Sequence, residues 1–279
     1  MPKLAQRLIV FFIGIPLVIA VIIPDFLNHL LFQLLLLVFS FLASSELCNM
    51  LSQKGKIIPK PLLIFLSIII PLASYLCGLF EVDFIIVDLV FITSIMAVFA
   101  YEVLFVKDFE DSNTKIANGV LTVFYSGFLP SFIARLTVLD DATILICLFF
   151  VFVFISDSAA WLFGMTLGKN NRGIIAASPN KSIAGFAGSY LGTLFIVFLI
   201  KFFFKDFIFP DVSPVKLIIL AICISTSSII GDLAESVFKR SSGCKDSGNI
   251  ILGRGGALDS IDSILMSAPF FYIFVKYFF

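Results

Sequence analysis

Charge is scarce in this chain and histidine nearly absent. Asp, Glu, Lys and Arg make up 14% of 279 residues and cancel to a formal net charge of zero. A balanced chain offers nucleic acid no electrostatic hold, so nucleic acid is not an expected partner. His29 is the single histidine, which excludes His-rich metal sites and argues against His-centred catalysis. The five cysteines, Cys48, Cys77, Cys147, Cys223 and Cys244, have no paired spacing. They indicate neither a zinc site nor a disulfide framework, and four of them, in or beside apolar runs, read as small buried hydrophobes. No GxxxxGK[ST] stretch occurs, so the chain has no Walker nucleotide site. No internal repeat is visible, which counts against an inverted-repeat transporter.

What the chain has is hydrocarbon. Hydrophobic residues make up 60% of it, 35 residues are Phe, and the mean hydropathy is +1.11. A water-soluble domain needs more polar surface. The expected fold is an all-α polytopic integral membrane protein. Nine apolar stretches approach the length that crosses a bilayer, near 8–24, 26–42, 61–80, 84–106, 117–136, 142–164, 183–204, 217–233 and 258–279. The basic start and apolar core of the N-terminus suit a retained first helix better than a cleaved signal, because no small-residue cleavage site follows. Residues 1–140 read as a hydrophobic helical scaffold and 141–279 as the helices that carry polar loops, together one continuous membrane domain.

The basic residues orient it. With a cytoplasmic N-terminus and alternating spans, 14 of the 19 Lys and Arg fall on the cytoplasmic side, and Arg135, Lys201, Lys205, Lys216 and Lys276 on the other. That bias obeys the positive-inside rule. The two longest polar loops, residues 168–182 and 235–257, then share the cytoplasmic face of the cell (inner or plasma) membrane.

Acids inside spans are costly and usually have a purpose. Asp157 lies in FISDSAAWLFG, Asp232 and Glu235 in SSIIGDLAESVFKR, and Asp259 and Asp262 in LDSIDS. The last two pairs are each spaced i, i+3, which places each pair on one helical face. Carboxylates converging from two helices suit a hard cation such as Mg²⁺, with Asp232, Asp259 and Asp262 as ligands and enough acid left over for a second cation. Acids at helix ends also cap helices or pair locally, and Glu235 stands four residues before Lys239. Asp88 and Glu102 read as helix-to-helix glue or as interfacial residues.

The segment between these acids holds Lys239, Arg240, Lys245 and Arg254 together with Gly243, Gly248, Gly253, Gly255 and Gly256. Glycines let the backbone approach a ligand, and amides opening onto a helix N-terminus suit phosphate oxygens, so the loop is expected to cradle phosphate. A second basic loop, GKNNRGIIAASPNKSIAGF, offers Ser178, Lys181 and Ser182 to a phosphate or to lipid head groups.

From Ser236 onward, SVFKRSSGCKDSGNIILGRGGALDSID resembles the C-terminal signature of the phosphatidate cytidylyltransferases, or CDP-diacylglycerol synthases. That signature runs S-x-x-K-R-x4-K-D-x-G, then a proline-glycine-histidine-glycine-glycine turn, then L-D-R-x-D. Ser236, Lys239, Arg240, Lys245, Asp246, Gly248, Gly253, Gly255, Gly256, Leu258, Asp259 and Asp262 match. GDLAES matches the family's G-D-L-x-E-S, SPNKSIAG resembles its S-P-K-K-T-x-E-G loop, and Asp157 matches the aspartate of its D-T-x-A-Y helix. The likeness covers the C-terminal half in register. Arg254 stands where the family has His, Ser260 where it has Arg, and Leu252 where it has Pro, while Asn180 and Ala184 replace the second Lys and the Glu of the other loop.

The resemblance implies transfer of a cytidylyl group from CTP to phosphatidic acid in the bilayer, assisted by Mg²⁺. Asp232, Lys239, Arg240, Lys245, Asp246 and Asp259 are the implied catalytic residues. Asp157, Ser178, Lys181, Ser182, Ser236, Gly253, Arg254, Gly255 and Gly256 are the implied substrate contacts. A homodimer is a family-level expectation. Rival readings are another CTP-using lipid enzyme (a polyprenol kinase or an archaeal-type lipid cytidylyltransferase), a transporter, and a catalytically inactive relative.

Overall fold

A computed structural model of the chain describes residues 10–204, 212–251, 253 and 255–278. Among the described residues the chain is helical, apart from two isolated bridges, Arg172 with Ser182 and Ile251 with Gly255. The helices are α1 (Ile15–Ile22, after a π turn), α2 (Phe26–Leu51), α3 (Lys60–Leu79), α4 (Ile85–Phe105) and α5 (Ser112–Val123). They continue as α6 (Leu129–Arg135, joined to α5 by a π turn), α7 (Ala142–Thr166), α8 (Ile183–Phe203), α9 (Pro214–Ser242) and α10 (Leu258–Phe278).

Eight segments among the described residues are long and apolar enough to cross a membrane: α2, α3, α4, the α5–α6 run Ser112–Val138, and α7 to α10. The chain is a multi-pass membrane protein. These eight coincide with the last eight of the nine expected stretches. The first stretch lies partly outside the described residues, and its described part forms only a short apolar helix, Phe12–Ile22. The structure also moves two boundaries. α2 runs past residue 42 to Leu51, and α9 runs past residue 233 to Ser242. ASSELCNML and AESVFKRSS contain neither Pro nor Gly, so nothing stops the helix. α9 ends where Gly243 adopts φ +77° and the Cys244 amide bonds back to the Lys239 carbonyl at 3.0 Å, a glycine C-terminal cap.

The chain divides into two compact units. The first comprises Met1–Thr143 and Phe238–Ile261, the second Ile144–Val237 and Asp262–Phe279. In the first, Ile58, Leu63, Leu66, Ile70, Val87, Val98 and Val123 form the core around α3. Hydrocarbon surroundings give helices little reason to associate through apolar area, so small and polar residues decide the contacts. Ser40 Oγ donates to the Ser126 carbonyl at 2.5 Å, and Ser74 Oγ to that of Ser131 at 3.0 Å. A Cβ on Gly127 would stand 2.7 Å from the Ser67 carbonyl oxygen. His29 is buried with Nδ1 2.9 Å from the Ile22 carbonyl oxygen, a structural use. In the second unit, Ser156 and Ser189 hydroxyls lie 2.6 Å apart, and Tyr190 lies 2.9 Å from Thr226. Ser227 donates to Ser267 at 3.1 Å.

Asp88, left open above between helix-to-helix glue and an interfacial position, joins α4 to α6. Its carboxylate accepts from Arg135 at 2.8 Å, and that buried guanidinium lies 4.6 Å from the Phe132 ring centre. Glu102, also buried, accepts from Ser112 at 2.7 Å and has Lys115 at 3.7 Å. Arg135→Met is expected to lower stability by about 1–3 kcal/mol, because Asp88 loses its cation at a half-exposed site. Thermal unfolding in detergent measures this; an unchanged midpoint would contradict a structural role for the pair.

Candidate functional site

The predicted site residues fall into two polar clusters, one in each unit. In the first unit the cluster forms around the N-terminus of α10. An α-helix leaves its first amides without partners, and here two carboxylates take them. Asp259 Oδ2 accepts from the Ser247 and Gly256 amides, both at 2.8 Å, and from Ser247 Oγ at 2.9 Å. Its Oδ1 accepts from Lys239 Nζ at 2.6 Å. Glu46, on α2 and 4% exposed, accepts from the Ala257 amide through Oε1 and from the Leu258 amide through Oε2, both at 2.9 Å. Its Oε2 also lies 2.8 Å from Ser247 Oγ. Ser247 has one hydroxyl proton, so Glu46 and Asp259 compete for it.

This geometry corrects the phosphate-cradle expectation. The amides of Ser247, Gly256, Ala257 and Leu258 do open onto a helix N-terminus, but the protein's own carboxylates occupy them. The glycines make room for those acids. A Cβ on Gly248 would stand 2.5 Å from Glu46 Oε1, and one on Gly255, at φ +111°, 2.6 Å from Asp259 Oδ2. Asp259 therefore organises the turn, and Lys239 is ion-paired to it. Lys245, Asp246 and Arg240 are exposed, Gly253 adopts φ +74°, and Arg254 lies outside the described residues, as does Leu252.

The second unit carries the other cluster. Asp157 Oδ1, on α7, accepts from Ser228 Oγ at 2.7 Å and from Ser263 Oγ at 3.3 Å. Asp232, on α9, is ion-paired with Lys181 from the α7–α8 loop, and both are near enough to act electrostatically on Asp157. Gly231 lets α9 and α10 approach closely, since a Cβ there would stand 2.5 Å from the Asp262 carbonyl oxygen. Asp262 Oδ1 accepts the Ser263 amide at 2.7 Å. In the α7–α8 loop, Ser178 shapes a turn, its carbonyl accepting the Lys181 amide at 3.1 Å. Ser182, expected to touch substrate, is buried and caps α8, its Oγ accepting the Gly185 amide at 3.0 Å. Ser236, on α9, is 9% exposed. An apolar groove of about 980 Å³ beside α8 contains none of the predicted site residues.

Among the described residues, no three His, Cys, Asp or Glu side chains form a ready metal cage. The second unit's donors nonetheless suit a hard divalent ion. Asp232 Oδ2 is closed off from solvent and, among the described residues, is met by the Lys181 ammonium. A carboxylate oxygen already held by a cation is of the type that a hard divalent ion also takes. Asp259, with four donors on its oxygens, is a poorer candidate than Asp262.

Sequence reasoning missed Glu46, Ser228, Ser247 and Ser263. The rule that flagged the other acids would have found Glu46 had the second span been carried to its true end. Gly231→Val is expected to force α9 and α10 apart and cost about 1–3 kcal/mol. Thermal unfolding in detergent reads that loss, and an unshifted midpoint would contradict the close approach.

Known proteins resemble part of this chain. The chain is 39% identical over 130 residues to phosphatidate cytidylyltransferase of Haemophilus influenzae, covering 47% of this chain and 44% of that protein. It is 40% identical over 120 residues to the phosphatidate cytidylyltransferases of Staphylococcus saprophyticus and Staphylococcus haemolyticus, covering 43% of this chain and 44% of each. The matched stretch thus spans less than half the length of these curated relatives. The family likeness reaches further, because residues 5–278 match the cytidylyltransferase family from the first helix to the last. With its eight spans and both charged clusters inside that match, the chain belongs to the cytidylyltransferase family.

Proposed function

We propose that this chain is a CTP:phosphatidate cytidylyltransferase, which makes CDP-diacylglycerol and pyrophosphate from CTP and phosphatidic acid. One observation carries the reading. The acids and bases of the recognised signature gather into two polar clusters, one at the N-terminus of α10 and one among α7, α9 and the α7–α8 loop, in a chain that is 60% hydrophobic. Relatives about 40% identical over 120–130 residues are named for the same activity.

The chemistry asks little of a general base. An oxygen of the lipid phosphate, already ionised at neutral pH, attacks the α-phosphorus of CTP. The bond from that phosphorus to the bridging oxygen breaks, and pyrophosphate leaves with the electron pair. The difficulty is bringing two polyanions together and stabilising charge at the α-phosphate. A chain with one histidine, buried and hydrogen-bonded to backbone, can meet that demand with fixed cations.

Lys245 and Arg240, exposed beside the organised turn, are assigned to the triphosphate and the departing pyrophosphate, with Arg254. Lys239 stays on Asp259, so its part is to hold the turn. Lys181, the half-exposed partner of Asp232, is assigned to the lipid phosphate, with Ser178 shaping its turn. Asp232 and Asp262 are assigned to Mg²⁺, with Asp157 adding negative charge nearby. When bound, Mg²⁺ would polarise the α-phosphate and offset triphosphate charge. The positive-inside bias supports a cytoplasmic N-terminus and charged loops facing the cytoplasm, where CTP is available. The acyl chains would stay in the bilayer.

The test is mass-spectrometric detection of the lipid product. Purified protein is given CTP and Mg²⁺ with phosphatidic acid, an archaeal-type ether lipid phosphate or a polyprenol. CDP-diacylglycerol is expected from phosphatidic acid alone. EDTA should abolish it, and Asp232→Asn should reduce it by about a hundredfold or more. A cytidylylated ether lipid or a phosphorylated polyprenol in its place would move the assignment to that lipid. No product from well-folded protein would overturn the reading.

A further inference from the structure

Nothing in the signature assigns a task to the second acid beneath the glycine turn. We propose that Glu46 is a positioning residue for cytidylyl transfer: an acid brought from α2 that locks the turn between α9 and α10 and reserves its amides from phosphate. The geometry shows three linked effects. First, Glu46 receives the Ala257 and Leu258 amides and lies 2.8 Å from the Ser247 hydroxyl. It thereby ties a segment of the C-terminal half to a helix about two hundred residues earlier. Second, it fills space that only glycine leaves open, since a Cβ on Gly248 would stand 2.5 Å from its Oε1. Third, with Asp259 it places two negative charges at a helix N-terminus, the location that otherwise attracts phosphate.

Asp259 takes the Gly256 and Ser247 amides and leaves those of Ala257 and Leu258, at the start of α10, to Glu46. The additional, buried acid fixes where Lys245 and Asp246 are presented. It also keeps the triphosphate from docking on the amides, so the nucleotide is read by cationic side chains. Removing Glu46 frees the turn and opens its amides to anions. The nucleotide then loses its place while the lipid does not.

The effect on kinetics rests on the function proposed above; the effect on the turn does not. Two variants test them. Glu46→Ala removes the acceptor, and Glu46→Gln keeps the volume but faces one amide donor with another. Hydrogen exchange by mass spectrometry in detergent should show peptides covering 244–258 exchanging about tenfold or more faster in Glu46→Ala, and less so in Glu46→Gln, with α3 and α4 unchanged. In the lipid assay, KM for CTP should rise about tenfold in Glu46→Gln while KM for phosphatidic acid stays within about twofold. Unchanged exchange in that segment, in whichever variant folds, overturns the proposal. So does a fall in kcat that merely follows the folded fraction with both KM values unmoved. If the unaltered protein makes no CDP-lipid, the proposed function falls, and the exchange measurement alone decides whether Glu46 holds the turn.

Discussion

Two carboxylates at one helix N-terminus govern the charged loop of this protein. Glu46 and Asp259 between them accept four amides and share one hydroxyl proton, and Lys239 is the cation paired to Asp259. A free helix N-terminus beside a glycine turn would bind phosphate through its backbone. Here those amides are taken by the protein's own carboxylates, and under the proposed function a polyphosphate is left to the exposed lysine and arginine side chains around the turn. The glycines follow from the same constraint: Gly248 and Gly255 lack side chains because Glu46 and Asp259 stand where a Cβ would be.

The apolar surroundings explain how strictly charge is handled elsewhere. An acid in a membrane span is costly and calls for a partner. Asp88 has Arg135, Glu102 has Ser112 and Lys115, and Asp157 has Ser228 and Ser263. Asp232 differs: one of its oxygens is closed off from solvent and, among the described residues, met by an ammonium from a loop.

Most of the helical layout could be read from hydropathy alone, because spans are set by bilayer thickness. Boundaries were less legible. The windows near 26–42 and 217–233 stopped at the first polar residues, yet α2 and α9 continue, because serine, glutamate and lysine do not break a helix. That error hid Glu46, which sits in the continuation. The residue types of the site were legible from spacing and resemblance, but their partners were not. Lys239 reads as a phosphate ligand and is bonded to Asp259; Ser182 reads as a substrate contact and caps α8. Both choices depend on tertiary neighbours that no local pattern encodes. Arg254, where the chain departs from the family's histidine, lies outside the described residues.

Under the proposed function the two clusters serve nucleotidyl transfer, in which the α-phosphorus of CTP is attacked and pyrophosphate leaves. Position-labelled CTP tests it most directly. The purified protein is given phosphatidic acid and Mg²⁺ with CTP labelled at either the α- or the γ-phosphate. The account predicts that α-label enters the lipid product and that γ-label appears only in pyrophosphate. Lipid carrying γ-label would mean that the terminal phosphate is the group transferred, and would contradict the account.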